Sequence, residues 1–285
     1  MKVRRFDINP IITPNMDSRM GDNINGPSLI RVPDWLPDPL GRYYLYFAHH
    51  NGKYIRMAYA DKLEGPWKTY EPGVLDLEHS YFSAHVASPD VHVDHNERRI
   101  RMYYHGIEPK QEQKTRAALS TDGIHFTARP EILGDFYFRV IEYGGWHYAV
   151  ARSGKCYRSR NPLRGFQPGP QISDERFRHC ALRVDGSRLL VFYSLIGSRP
   201  EHILLSTVDL AADWTAWAMS EPVSVLEPEM PYEGTELPLF ESRTGWAPRP
   251  VHEVRDPGIY REGSRTWLLH TVQGEHGIAV AELEM

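Results

Sequence analysis

Short apolar runs separated by turn residues recur along the whole 285-residue chain. The clearest are residues 43–48, 100–105 and 189–194, which are rich in aromatic and β-branched side chains. Runs of this kind, bounded by Gly, Pro, Asn and Asp, predict strands. No long stretch keeps the 3.6-residue apolar period of an amphipathic helix. The pattern therefore predicts an all-β protein with few helices.

The predicted strands fall into five repeats of one unit. A complete unit consists of a short strand that usually begins at proline, an aromatic strand, a third strand and a corner that contains an aromatic residue and usually glycine. The units start near residues 27, 89, 138, 180 and 257, and four of them end at corners at 60–67, 120–126, 159–166 and 206–214. Repeats of about this length are typical of propeller blades.

The fifth unit stops at residues 278–283, before any corner. An outer strand from residues 3–6 would complete it and close the ring, which protects the sheet edges. The sequence thus predicts a single five-bladed β-propeller over residues 1–285. The longest spacing between unit starts contains a Pro- and Glu-rich insertion at about residues 222–254, and such insertions often carry function.

Composition removes several classes of function. The net charge is −4, and no Lys/Arg cluster suggests a nucleic-acid partner. Cys156 and Cys180 are too few for a disulfide framework and lack metal-site spacing. The N-terminal charges precede no apolar run, so we expect no signal peptide or membrane span and a cytoplasmic location. The oligomeric state is left open.

Three segments resemble the five-bladed propeller glycosidases of glycoside hydrolase families 43, 32, 117 and 130. Residues 87–91 with the Tyr-rich strand at 102–104 are similar to the second blade of family 43, and residues 63–67 to its Leu-x-Gly-Pro-Trp corner. Residues 120–123 resemble the Ser-x-Asp-Gly turn that these families share. The resemblance implies an exo-acting glycosidase whose partner is a small oligosaccharide or glycoside.

The acidic triad of family 43 is not carried over. Its first-blade aspartate base falls at Gly26, its third-blade aspartate near Tyr137, and its fourth-blade acid near Arg178 and His179. Two functions without catalysis therefore remain as alternatives to a glycosidase. One is a non-catalytic carbohydrate-binding propeller, and the other is a structural or protein-interaction propeller.

Three candidate catalytic residues lie at starts of inner strands. Asp256 and Asp90 flank their prolines at the same strand parity, and His179 aligns with Asp256, so all three should face the axis. We expect Asp256 to be an essential carboxylate, although such an aspartate can simply bond nearby backbone amides. The ordinary pKa of a histidine side chain is near neutral, so His179 is a candidate proton donor. Carboxyl groups on facing blades would lie at the longer separation that inverting hydrolysis uses, so we expect inversion at the anomeric carbon.

Three further acidic residues, which lie in predicted loops, are candidate catalytic residues. Asp22 precedes the first inner strand and could reach the vacant base position, although an Asx-turn is the plain alternative. Glu233 and Glu236 lie in the insertion and could donate the proton if the insertion folds over the funnel.

Candidate substrate-binding residues lie beside these acids: Asn25, His85, Arg139, Arg178 and Arg255. Three arginines at inner-strand starts would favour an anionic group, or would neutralise the local carboxylates. The histidines match no zinc motif. We expect no metal ligands and no cofactor, with a divalent cation in the central funnel left open.

Overall fold

Five antiparallel sheets surround one central axis in the computed structural model, which describes residues 1–284. The innermost strands of neighbouring sheets pack side by side around that axis. Helical structure in the described residues is limited to four 3-10 turns, at Leu77–His79, Arg152–Gly154, Trp214–Ala216 and Pro231–Glu233. None of these is long and apolar enough to cross a membrane. The predicted all-β, five-bladed propeller is confirmed.

Each blade runs from an inner strand outward. Blade 1 contains β2 (Asn25–Arg31), β3 (Tyr43–Ala48), β4 (Tyr54–Ala60) and β5 (Lys68–Asp76). Blade 2 contains β6 (Val86–Asp94), β7 (Arg99–Ile107) and β8 (Gln113–Ser120), edged by β9 (Thr127–Ala128) and β10 (Gly134–Asp135). Blade 3 contains β11 (Arg139–Tyr143), β12 (Trp146–Val150), β13 (Lys155–Ser159) and β14 (Gln167–Gln171).

Blade 4 contains β15 (Phe177–Asp185), β16 (Arg188–Leu195), β17 (Ile203–Asp209) and β18 (Val223–Leu226). Blade 5 contains β19 (Val254–Glu262), β20 (Arg265–Val272), β21 (Ile278–Glu284) and β1 (Lys2–Arg5). The N-terminal strand β1 pairs antiparallel with β21, with Val3 opposite Leu283. The predicted closure of the ring is therefore confirmed, with the strand one residue earlier than expected.

Aromatic side chains from the middle strands fill the spaces between blades. Tyr44 and Tyr46 of blade 1 pack in one buried cluster with Met102 and Tyr104 of blade 2. The buried hydroxyl groups are satisfied, because Tyr46 donates to the Gly123 carbonyl at 2.8 Å and Tyr104 to that of Ser80 at 2.7 Å. The aromatic runs thus serve the interfaces between blades, as buried tyrosines with bonded hydroxyls can.

Inner strands β2, β6, β15 and β19 each carry a bulge near their start. Two residues are unpaired in each: Gly26 with Pro27, Ser88 with Pro89, Arg178 with His179, and Asp256 with Pro257. A bulge re-aims the side chains that it contains. The pairing corrects the sequence alignment, because Arg178 and not His179 is equivalent to Asp256.

The insertion is shorter than the sequence suggested. Residues 223–226 form the outer strand β18, so the irregular segment spans residues 227–253. It is fixed to blade 5 through Glu233, whose carboxylate is fully buried and accepts from Arg5 Nε at 2.8 Å. The backbone amides of Glu229 and Met230 also donate to that carboxylate, at 2.7 and 3.1 Å.

We predict that Arg5→Ala lowers the free energy of unfolding by roughly 2–4 kcal/mol, because it removes the guanidinium group that binds the buried Glu233 carboxylate. Arg4→Ala is the matched control, since Arg4 is an exposed neighbour on β1 whose side chain pairs with Glu282 at the surface. Its loss should lower stability by about 1 kcal/mol or less. Urea unfolding measures both variants. Equal losses would show that Glu233 does not anchor the insertion.

Candidate functional site

A cavity of about 540 Å³ opens at the end of the propeller where the inner strands begin. This mouth cavity is bordered by His50 of blade 1, by Tyr137 and Arg152 of blade 3, and by Arg178 of blade 4. Thr244 and Gly245 of the insertion form another part of its wall. The insertion therefore reaches the mouth of the ring, as a functional insertion would.

Four carboxylates and two guanidinium groups lie buried beside this cavity. Arg178 binds Glu201 with two hydrogen bonds, from Nε to Oε1 at 2.7 Å and from Nη2 to Oε2 at 3.1 Å. Arg255 lies 3.6 Å from Glu253 and 3.8 Å from Glu275 between nitrogen and oxygen. Asp256 is the fourth acid. If every group were ionised, the cluster would hold two uncompensated negative charges, which burial disfavours.

The surroundings separate the pKa values of two of these acids. Burial, and then the Glu275 carboxylate, raise the pKa of Asp256 to about 7. Burial acts against ionisation of Glu275 as well, but Arg255, His50 and Asn23 outweigh it and hold the pKa of Glu275 at about 2. Asn23 Nδ2 donates to Glu275 at 2.7 Å. One site thus holds a carboxylic acid and a carboxylate near neutral pH, the combination that acid–base catalysis uses.

The backbone at Asp256 is unusual. Its φ of +49° lies in the left-handed region, which aspartate adopts at some free-energy cost. Ser88 and Tyr137 have φ of +50° and +68° near the starts of their inner strands. Such strain is found where a side chain must be aimed for function.

Gly26 at the corresponding position of blade 1 has φ of +61°, and a Cβ there would lie 2.9 Å from Ser88 Cα. The position that family 43 gives to its base is therefore too crowded for an aspartate. The neighbouring Asn25 is buried at the start of β2, and its Oδ1 accepts no hydrogen bond from the described residues.

His179 and Arg139 form a buried layer across the axis. Arg139 donates to the carbonyls of Ser88 and Cys180 at 3.1 Å each, and its Nη2 lies 3.4 Å from His179 Nδ1. Burial and then the Arg139 charge lower the pKa of His179 well below its usual value. A neutral imidazole is a poor acid, so this lowered pKa argues against His179 as the proton donor.

Asp90 does not border the mouth cavity. It accepts from Val140 N and contacts His92 Nε2, both at 2.8 Å. It borders a cavity further along the inner strands with Arg139 and Glu142, which we call the rear cavity. The sequence predicts Asp90, His179 and Asp256 together at the axis with Arg139 beside them. The structure separates them, because Asp90 and Arg139 border the rear cavity whereas Asp256 belongs to the buried charged groups beside the mouth cavity.

The remaining histidine and acid candidates are spread over the mouth end. Burial lowers the pKa of His85 to about 4, and its ring packs edge-on against His105 at 5.4 Å. Asp22 is exposed in the loop before β2, and Glu236 is exposed in the insertion. Glu233 holds the insertion to Arg5, which is a structural use and replaces the role of general acid proposed for it.

The insertion reaches the mouth with residues 243–246 instead. Arg178 donates to the Gly245 carbonyl at 3.0 Å and to the Arg243 carbonyl, and Arg255 donates to Gly245 at 3.3 Å. Trp246 lies 6.1 Å from the His49 ring. Arg178 and Arg255 therefore fix the insertion and balance the acids, which is the second of the two roles expected for the arginines.

Sequence reasoning missed Glu201, Glu253 and Glu275. Glu201 and Glu275 lie in loops that connect strands, outside the inner-strand starts that the repeat marks. Glu253 precedes Asp256 by three residues, and its proximity to the Arg255-Asp256 pair was the one available signal.

One cluster in residues 1–284 has the spacing of metal ligands. It contains Asp76, Glu78 and His79 at the surface of blade 1. Arg19 also pairs with Asp76, so a cation would compete with that guanidinium group. The cluster lies on the outer edge of the blade, away from the central funnel.

Several solved structures that share this fold are glycoside hydrolases or putative glycoside hydrolases. A putative glycoside hydrolase from Bacteroides ovatus matches with a TM-score of 0.73, at 12% identity over 100% of this chain and 97% of that one. The GH43_1 enzyme from Xanthomonas citri complexed with xylose matches with a TM-score of 0.62, at 10% identity over 96% and 90%. The fold is that of the family-43-like five-bladed β-propeller glycoside hydrolases. Identities this low establish the fold alone.

No family model matches the sequence. One curated protein does, the uncharacterized protein R118 of Acanthamoeba polyphaga mimivirus, at 34% identity over 320 residues, 99% of this chain and 90% of that protein. The chain belongs to the same family as that viral protein.

We predict that Asp256→Asn stabilises the protein increasingly as pH rises. The folded-state pKa of Asp256 is raised above the unfolded value of about 3.9, so its contribution is most favourable below pH 4 and is lost as pH approaches 7. Asparagine has no charge to bury. The stability difference between variant and wild type should grow from pH 4 to 7 and then level off.

Urea unfolding across that range measures the difference. Glu142→Gln is a control, because Glu142 is exposed in the inner strand β11. A difference for Asp256→Asn that is flat or that falls with pH would contradict a raised pKa.

Proposed function

We propose that this protein is a glycoside hydrolase that acts at the mouth cavity on a small oligosaccharide or glycoside. The observation that carries the proposal is the buried cluster of four carboxylates and two guanidinium groups, whose surroundings raise the pKa of Asp256 to about 7 and lower that of Glu275 to about 2. Hydrolysis of a glycosidic bond needs one acid and one carboxylate.

In the proposed mechanism Asp256 is the general acid. Its carboxyl proton passes to the glycosidic oxygen as the bond from that oxygen to the anomeric carbon breaks. Glu275 accepts a proton from a water molecule whose oxygen bonds to the anomeric carbon. Both acids are nearly fully buried behind the residues that line the mouth cavity, and His50, which borders that cavity, lies 3.4 Å from Glu275. Binding in this cavity would exclude water and strengthen both interactions.

We expect inversion at the anomeric carbon. The Glu275 carboxylate is held by Asn23 at 2.7 Å and lies 3.4 Å from His50 Nδ1, which restricts its rotation toward the sugar. A carboxylate so fixed is better suited to orient water than to form a covalent bond. Proton NMR of the first anomer released measures the outcome, and a product that retains configuration would point to a nucleophilic carboxylate.

The cavity supports exo action on a short substrate. Its volume of about 540 Å³ is within the range of small-molecule sites, and the insertion limits its extent on one side. A xylose complex of a structural neighbour makes aryl xylosides and xylo-oligosaccharides the first substrates to test.

We predict that Asp256→Asn and Glu275→Gln each lower kcat/KM by a factor on the order of 10²–10⁴, the usual contribution of a positioned acid or base. Glu142→Gln makes the same chemical change as Glu275→Gln at the rear cavity and should leave turnover within about twofold. Aryl glycosides with a good leaving group need little protonation, so they should be affected less by Asp256→Asn than disaccharides.

Melting temperatures and sugar binding accompany these assays. Folded variants with near-normal turnover would remove Asp256 and Glu275 from the mechanism. If the wild type binds sugars at the mouth but hydrolyses none of a broad panel, the protein is a carbohydrate-binding propeller instead.

A further inference from the structure

The insertion encloses a second cavity, of about 240 Å³, which we call the insertion cavity. Its walls are largely apolar and include Phe240, Trp246 and Val251. Phe240 is 59% exposed and Trp246 is 41% exposed, which is unusual for large aromatic residues of a compact protein. The volume is below the range for drug-sized ligands and suits one aromatic ring with a polar substituent.

Residues 243–246 separate this cavity from the mouth cavity. Thr244 and Gly245 border the mouth cavity, whereas Arg243 and Trp246 border the insertion cavity. The hydrogen bonds from Arg178 and Arg255 to the carbonyls of this segment hold its backbone in place. The wall between the two cavities is therefore fixed by hydrogen bonds. The side chain of Trp246 projects from this fixed backbone.

The exposed charged residues that border the insertion cavity are two arginines and one glutamate, which leaves one positive charge in excess. Arg243 and Arg249 border it, and their guanidinium groups form no ion pair within residues 1–284. Glu241 is the one unpaired carboxylate that borders it. Glu253 and the buried Arg255 also border it, and they lie 3.6 Å apart. Unpaired arginines beside an apolar wall match a ligand that is flat and apolar at one end and anionic at the other.

We propose that the insertion cavity is a binding site for a small aromatic carboxylate, with the ring against Phe240 and Trp246 and the carboxylate at Arg243 and Arg249. This site does not depend on sugar hydrolysis at the mouth cavity, because the two cavities lie on opposite sides of residues 243–246.

The probe is 4-fluorobenzoate, titrated into the full-length protein and followed by fluorine NMR, with fluorobenzene as the neutral probe. Wild type should show saturable binding of 4-fluorobenzoate in the millimolar range or tighter, and weaker binding of fluorobenzene. Trp246→Ala should weaken the binding of 4-fluorobenzoate about tenfold, as loss of an aromatic anchor does. Arg243→Gln combined with Arg249→Gln should bring 4-fluorobenzoate to the affinity of fluorobenzene.

Arg164→Gln is the matched control, because Arg164 is an exposed arginine on blade 3 that borders neither cavity. It should bind 4-fluorobenzoate as the wild type does. All substitutions lie at exposed side chains, and melting temperatures verify that the variants fold. No saturable binding by the wild type, equal affinity for the two probes, or binding unchanged by Trp246→Ala would each overturn the proposal.

Discussion

Pairing between the first and last strands of the chain is the constraint on which the rest of the fold depends. Blade 5 obtains its outer strand from β1, with Val3 opposite Leu283, while its inner strand β19 packs against β2 of blade 1. Without β1, strand β21 would present an open edge. The same strand fixes the insertion, because Arg5 binds the buried Glu233. Ring closure and the wall of the mouth cavity are therefore physically linked.

The second determinant is the bulge near the start of the inner strands. It places Arg178 and Asp256 at equivalent positions of adjacent blades, and it brings Arg255 beside them. Loops from blades 4 and 5 then add Glu201 and Glu275. Since six charged groups share a buried space with only two cations, protonation becomes the means by which the cluster limits its charge. The chemistry that we propose follows from this imbalance.

The sequence predicted the architecture well because the repeated elements have local signals. Prolines mark three of the inner strands, and corners with an aromatic residue, usually with glycine, precede the outer strands. The fourth unit was misaligned by one residue because β15 has one more paired residue between its bulge and its hairpin turn than β19 has. That single residue moved His179 into the place that Arg178 occupies. Gly186 and Gly263 lie in the hairpin turns of blades 4 and 5, so an alignment of the two units on these glycines matches the turns and not the bulges.

The site was harder to predict than the fold. Asp256 could be identified because it adjoins a repeated proline. Glu275 and Glu201 could not, because a loop residue reaches the axis through tertiary packing that leaves no periodic signal. The role of Arg178 and Arg255 likewise depended on partners far away in the sequence. Burial then set the pKa of His179, and no sequence pattern reports burial at that level of detail.

The central claim is that the mouth of the propeller holds a protonated Asp256 beside an ionised Glu275. A carbon-13 NMR titration of the side-chain carboxyl groups, assigned with the Asp256→Asn and Glu275→Gln variants, measures this directly. We predict that the Asp256 resonance titrates near pH 7, whereas that of Glu275 shows no proton uptake above about pH 3. Titration of Asp256 at the ordinary aspartate pKa of about 3.9, or of Glu275 above Asp256, would contradict the account.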